Sequence, residues 1–177
     1  MSETDILEET PTPALADEVK RALRRMAKSV TVVTCRHEGK RYAMAATAVD
    51  ALSMDPPSMI VSVNRAASLH APLAAGADFC VNVLGRGHED ISRACGGGRR
   101  GEERFALGEW IEGPYGIPVL ADAQASLLCK NELSVSYGTH GVFIGRVLQV
   151  RHHGTVDPLV YLDGRYTRLA DQGNDPE

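Results

Sequence analysis

VTVVTCRHEGKRYAMAA, residues 30–46, decides the fold. Its first part, VTVVTC (Val30–Cys35), is dense in β-branched residues, which pack well on a pleated surface and fit a helix less well. HEGK (His37–Lys40) is a turn signal, and Tyr42–Ala46 supplies an antiparallel partner, so the stretch reads as a hairpin. Working outward, the same kind of run recurs. SMIVSV (Ser58–Val63) follows the turn MDPP (Met54–Pro57), and FCVNVL (Phe79–Leu84), Ala123–Leu128, GVFIGRVLQV (Gly141–Val150) and PLVYL (Pro158–Leu162) come after it. One amphipathic helix precedes them. Leu15, Val19, Ala22, Leu23 and Met26 share a face, Lys20, Arg21, Arg24 and Arg25 surround it, and Pro13 stands where a helix can begin. Short helical pieces fit at Ser68–Ala75 and Glu89–Cys95. These strands do not alternate with long helices, which disfavours a doubly wound parallel sheet. The expected fold is mostly β, an antiparallel barrel with a few flanking helices, since closure removes exposed sheet edges.

The chain has 177 residues, enough for one domain, with 44% hydrophobic and 24% charged residues. Its apolar runs are too short for a membrane-spanning helix, and the N-terminus lacks the basic and apolar regions of a secretory signal. The net charge is −4, but residues 1–13 carry Glu3, Asp5, Glu8 and Glu9 with no Lys or Arg, and residues 171–177 carry Asp171, Asp175 and Glu177. Without these carboxylates the body has 19 basic and 16 acidic residues, a balance of +3. The ends read as disordered acidic tails (1–13 and 171–177) around one domain, residues 14–170. A weakly basic body with 5% aromatic residues suits a small anionic ligand and not a nucleic acid.

Cys35, Cys80, Cys95 and Cys129 form no C-x-x-C pair and match no zinc spacing, so they read as reduced structural thiols of a cytoplasmic protein. The six histidines give no H-E-x-x-H, and the adjacent His152 and His153 would point to opposite faces of a strand, so no metal site is expected. GGGRRG (Gly96–Gly101) matches G-x-G-x-x-G literally, but it follows a helical segment and opens no βαβ unit. It reads as a basic loop from which Arg99 and Arg100 could touch a phosphate. No P-loop and no G-x-S-x-G are present.

Three segments carry candidate chemistry. AATAVDALSMDPP (Ala45–Pro57) is rich in small side chains, over which a flat ligand can lie against the backbone. NRAAS (Asn64–Ser68) places an Arg and a Ser hydroxyl at a candidate helix start, a ready phosphate site. His140 sits in the turn-prone YGTHG (Tyr137–Gly141), just before the longest strand, where loop residues commonly carry function.

In order and spacing, SVTVVT (Ser29–Thr34), ATAVDALSMDPPSMIVSVNRAAS (Ala46–Ser68), F-x-V-N-V-L (Phe79–Leu84), EERF (Glu102–Phe105), GIPVL (Gly116–Leu120), GTHGVFIGRV (Gly138–Val147) and PLVYLDGRY (Pro158–Tyr166) together resemble the flavin reductase domain family of the split-barrel flavin-binding fold. The resemblance covers roughly residues 19–169. It is nearest to the small reductase component of two-component aromatic monooxygenases of the 4-hydroxyphenylacetate 3-monooxygenase type. It implies a homodimeric, six-stranded antiparallel Greek-key split barrel that passes a hydride from NADH or NADPH to FMN or FAD, for use by a flavin-dependent oxygenase. By motif position it implies that Thr47, Ala48, Val49 and Asp50 line the isoalloxazine ring and that Ser53 holds the same loop. Asn64, Arg65 and Ser68 would hold the ribityl phosphate, His140 would sit beside the nicotinamide, and Tyr166 would close the site. Ala43 and Ala45 stand where many members have Gly and Thr, Gly138-Thr139-His140 replaces the commoner Gly-Asp-His, and Cys95 stands where an aromatic is common. These departures leave FMN or FAD, and NADH or NADPH, open. Two other readings stay beside the reductase: a non-enzymatic split-barrel carrier of flavin or haem, and an oxidase of pyridoxamine phosphate on a related barrel.

Overall fold

The run that begins at Val30 is covered on both faces, which is why it carries almost no polar positions. In the computed structural model, which describes residues 13–169, Thr31–Cys35 are all buried. The two acidic tails expected from the sequence lie outside the described residues, apart from Pro13.

The elements in chain order are α1 (Pro13–Leu23), β1 (Lys28–Ser29), β2 (Thr31–His37), β3 (Lys40–Ala46), β4 (Val49–Met54), β5 (Pro57–Asn64), α2 (His70–Ala74), β6 (Phe79–Val83), α3 (Glu89–Arg93), β7 (Trp110–Glu112), β8 (Pro118–Leu120), β9 (Ala125–Tyr137), β10 (His140–His152), β11 (Val160–Leu162) and β12 (Arg165–Thr167). Glu38 and Gly39 join β2 to β3 with φ of 47° and 75°. Two positive φ angles in a two-residue loop match the twist of the flanking strands, so the hairpin closes in register, with Thr31 opposite Ala46. The Gly96–Gly98 segment ends a helical stretch and opens no βαβ unit, as its flanks imply.

The main sheet is antiparallel, in the order β3-β2-β6-β9-β10-β5-β4. It holds seven strands where six were expected, because Val49–Met54, read from the sequence as part of a ligand-binding loop, forms the edge strand β4. Connectivity forces this sheet to curl. Laid flat, seven strands span about 29 Å. Yet the two edge strands are joined by Thr47 and Ala48 alone, and the three Cα steps from Ala46 to Val49 reach at most about 11 Å. The edges therefore meet at this corner. No ladder joins β3 to β4 among the described residues, so the curl stays open along that seam.

Inside the curl, Val33, Cys35, Val61, Val63, Phe79, Val81, Cys129 and Phe143 pack with Leu69 and Leu73 from the α2 region. On the other side of β2 and β3, Val32 and Ala43 pack with Ile91, Cys95, Phe105 and Leu120. Alternate residues of β2 thus enter different cores. Asn82 is fully buried between them with its amide satisfied. Its Nδ2 donates to the Val32 carbonyl (3.1 Å), and its Oδ1 accepts from Leu120 N–H (3.0 Å) and the Ser126 hydroxyl (3.1 Å). Four free cysteines are buried. Burial pushes the thiols of Cys35, Cys80 and Cys129 up to about 12 and that of Cys95 to about 11.

Candidate functional site

The corner where the sheet edges meet is also where the candidate residues gather. Ala48 O accepts the Ser62 N–H (3.0 Å), which sets the Thr47–Ala48 link against β5. Two residues further along β5, Asn64 pairs with His140 at the start of β10. The Arg65 N–H donates to Thr139 O (3.0 Å), clasping the NRAAS turn to the YGTHG turn. Asn64 Oδ1 accepts the Ala66 N–H (2.9 Å) and shapes the turn. Thr139 Oγ1 lies 2.9 Å from His140 Nδ1 and orients the ring. Gly141 follows because only glycine fits there: a Cβ would lie 2.6 Å from His70 Nε2. The Arg65 side chain is exposed and makes no ion pair among the described residues.

A cleft of about 260 Å³ opens on the other side of the link. It is lined by Ala45, Ala46 and Thr47, by Ser92 and Gly96, and by Tyr161 and Tyr166. Tyr166 is fixed there by a 2.9 Å hydrogen bond between its hydroxyl and Ser92 Oγ, by Arg93 over its ring (4.8 Å) and by the edge of Tyr161 (5.3 Å). Further along β3, Ser68 and Arg104 meet in a second cleft of about 290 Å³. Arg104 Nη1 donates to Ser68 Oγ (2.9 Å) and Ala43 O (2.6 Å), and its Nε donates to Arg99 O (3.0 Å). The guanidinium is thus held in place next to a hydroxyl, a pair suited to an oxyanion.

The structure distributes the candidates as follows. Thr47 and Tyr166 share the first cleft, Ser68 lies in the second, and Asn64, Arg65 and His140 form the clasped turns beside them. Ala48, Val49, Asp50 and Ser53 do not line either cleft. Val49 packs against the inner core, Asp50 Oδ1 accepts the Ala51 N–H (3.0 Å), and Ser53 Oγ accepts the Asp55 N–H (3.0 Å), holding the turn before β5. Arg104 is the residue that sequence reasoning missed. Its signal was the EERF segment, quoted for its resemblance but given no role, while Arg99 and Arg100 were singled out; neither of them lines the cleft of Ser68. No group of three His, Cys, Asp or Glu side chains among the described residues could hold a metal ion.

The residues present fit a flavin. A flat ring needs a surface of small side chains, which Ala45, Ala46, Thr47 and Gly96 supply. A phosphate needs a fixed cation with a hydroxyl, which Arg104 and Ser68 supply.

The chain is similar to several known proteins. The FMN reductase (NADH) RutF of Pseudomonas syringae is 38% identical over 151 residues, covering 85% of each chain. The reductase component of the FADH(2)-dependent resorcinol hydroxylase of a Rhizobium species is 37% identical, covering 85% of this chain and 86% of its own. An NADH:FAD oxidoreductase of Streptomyces globisporus, solved with NAD and FAD fragments, superposes with a TM-score of 0.84 at 26% identity over 94% of this chain and 99% of that one. The model of the flavin reductase like domain matches residues 23–170, from the end of α1 to just beyond β12, and the chain belongs to that family.

Proposed function

We propose that this protein is an NAD(P)H-dependent flavin reductase that passes a hydride from a nicotinamide to FMN or FAD and supplies the reduced flavin to a partner monooxygenase. The observation that carries the reading is the corner itself: a small-residue cleft closed by Tyr166, next to the Arg104–Ser68 pair. The relatives named as an FMN reductase and as a hydroxylase reductase component support the same chemistry and an oxygenase partner.

A bound flavin would supply the hydride acceptor, and the reactivity would be its own. The protein's part is to position. Thr47 and the alanines before it offer a flat floor and backbone polar groups to a ring edge. Ser68 and Arg104 anchor the phosphate, with Arg65 and Asn64 at its rim. His140, steadied by Thr139, faces the incoming nicotinamide, and Tyr166 limits the poses of the ring. Hydride transfer between the two rings needs no acid–base pair from the protein.

A homodimer belongs to this reading. In the outward rows of the sheet, Ile60, Ile144 and Leu133 lie side by side, as do Ser62, Val142 and Val135, and as do Asn64, His140 and Tyr137. Leu133, Val135 and Tyr137 are exposed, as are Leu52 and Met54. A second copy is the partner that fits this apolar face. It would also bring Asp50 and Ala48, exposed on edge strand β4 and its link, against a shared site. The curled sheet is, on this reading, a Greek-key split barrel, and residues 14–170 are one domain. Four unpaired thiols suit a cytoplasmic location, and no helix among the described residues is long and apolar enough to cross a membrane.

The test is steady-state NADH consumption with and without added FMN or FAD. The reductase reading expects turnover that depends on flavin. A protein that binds flavin and consumes no NADH or NADPH is a carrier.

A further inference from the structure

Beyond the Ser68–Arg104 cleft, and sharing Arg41 and Glu102 with it as a common wall, lies a third cleft of about 330 Å³. It is lined by Arg36 and Glu112 on one side and by Trp110 on another. We infer that this cleft holds the adenylate half of FAD, so that the protein selects FAD over FMN. The inference rests on the placement of the flavin phosphate at Ser68 and Arg104.

Three observations carry it. The first is continuity. FMN ends at its phosphate, whereas FAD continues through a second phosphate to adenosine. A ligand anchored at Ser68 must continue somewhere, and the adjoining space is this cleft. The second is charge. Along the two clefts stand Arg36, Lys40, Arg41 and Arg104 against Glu102 and Glu112, a balance of +2, which matches a pyrophosphate dianion. The pairs differ in how firmly they are closed. Arg41 is tied to Glu102 (2.5 Å), which holds that carboxyl below its ordinary range, and it lies over the Phe105 ring (4.2 Å). Arg36 stands 3.6 Å from the exposed Glu112, a loose pair that an incoming phosphate can replace. The third is the flat surface. Trp110 is anchored by its Nε1–H to Leu107 O (2.7 Å) and by edge-to-face packing on Phe105 (5.2 Å). It is half-buried and walls the cleft, a position suited to stacking of a purine.

An adenylate could also come from the nicotinamide dinucleotide, and the experiment separates the two. Equilibrium affinities for FAD and FMN are measured by flavin fluorescence quenching, without NADH. FAD is expected to bind about tenfold or more tighter than FMN, on the strength of charge-assisted bonds to the second phosphate. Arg36→Ala is expected to lower the FAD-to-FMN affinity ratio about tenfold, and Glu112→Gln, which frees Arg36, to raise it. The KM for NADH, measured with FMN, is expected to stay within twofold in Arg36→Ala. Equal affinity for FAD and FMN in the wild type overturns the inference, as does a ratio that neither variant moves. A raised KM for NADH with an unmoved ratio overturns it too, and gives the cleft to the nicotinamide dinucleotide. Because the affinities need no turnover, a protein that prefers FAD but consumes no NADH would break the reductase reading and leave this cleft assigned.

Discussion

The strands β4, β5, β10 and the distal half of β9 present two apolar faces, and the described residues cover one of them. On the inner face Val61, Val63 and Phe143 are at most 1% exposed, in the core inside the curl. On the outer face, in the same paired rows, Leu133 and Val135 are about half exposed and Tyr137 is 83% exposed. Burying such side chains is worth about 1.5–3 kcal/mol each, so a strand apolar on both faces wants cover on both. The difference teaches that an apolar pattern states a demand for burial without saying which molecule meets it. It also places His140 and Asn64, in the outermost row with Tyr137, at the rim of the uncovered face.

The contrast breaks most severely from the inside. Phe143→Ala leaves a cavity between β10 and the α2 region, and should cost about 3–5 kcal/mol, read as a lowered midpoint in urea denaturation. Such a variant keeping wild-type stability would mean that the inner face is not the folding core. The outer face should respond in the opposite way. Leu133→Asp with Tyr137→Asp should leave each protomer folded but split the proposed dimer, so that sedimentation gives about 19.1 kDa instead of twice that mass. A wild-type monomer would mean that no second copy covers this face, and an intact dimer in the double variant would mean that another surface is used.

A smaller effect comes from pH. Cys35 and Cys129 lie in the inner core, while Cys80 and Cys95 lie in the packing outside the curl. Each thiol is raised by burial from an ordinary value of 9.0. Folded values above unfolded ones mean that this stability is complete below about pH 9 and falls as the pH climbs toward about 12. Melting temperatures between pH 8 and 10 should decline, and Cys35→Ala with Cys129→Ala should flatten the decline. An unchanged slope would show that the thiols are not its source.

The hairpin at Val30–Ala46 was readable because its pattern is local: β-branched runs flanking a turn that demands positive φ. Two features were not. β4 contains Asp50, Ser53 and a preceding run of small residues, which look like a loop, and only pairing with β5 makes it a strand. The distal half of β9, KNELSVSY, alternates polar and apolar residues, but its apolar positions point away from this chain's own core. The clasp between Arg65 and Thr139 and the meeting of Ser68 with Arg104 depend on long-range register, which no local pattern encodes. The resemblance supplied Asn64, Ser68, His140 and Tyr166 as candidates, and the fold pairs Asn64 with His140, sets Ser68 against Arg104 and bonds Tyr166 to Ser92.

Anaerobic stopped-flow mixing of the flavin-loaded protein with NADH tests the central claim most directly, with His140→Ala alongside. The account predicts that the flavin bleaches in the wild type at a rate that saturates with NADH. In His140→Ala it predicts slower bleaching and a higher NADH requirement, with flavin affinity little changed. No bleaching in the wild type would contradict the reductase, and an unaltered rate and NADH dependence in a stable His140→Ala protein would remove the rim of the outer face from the site.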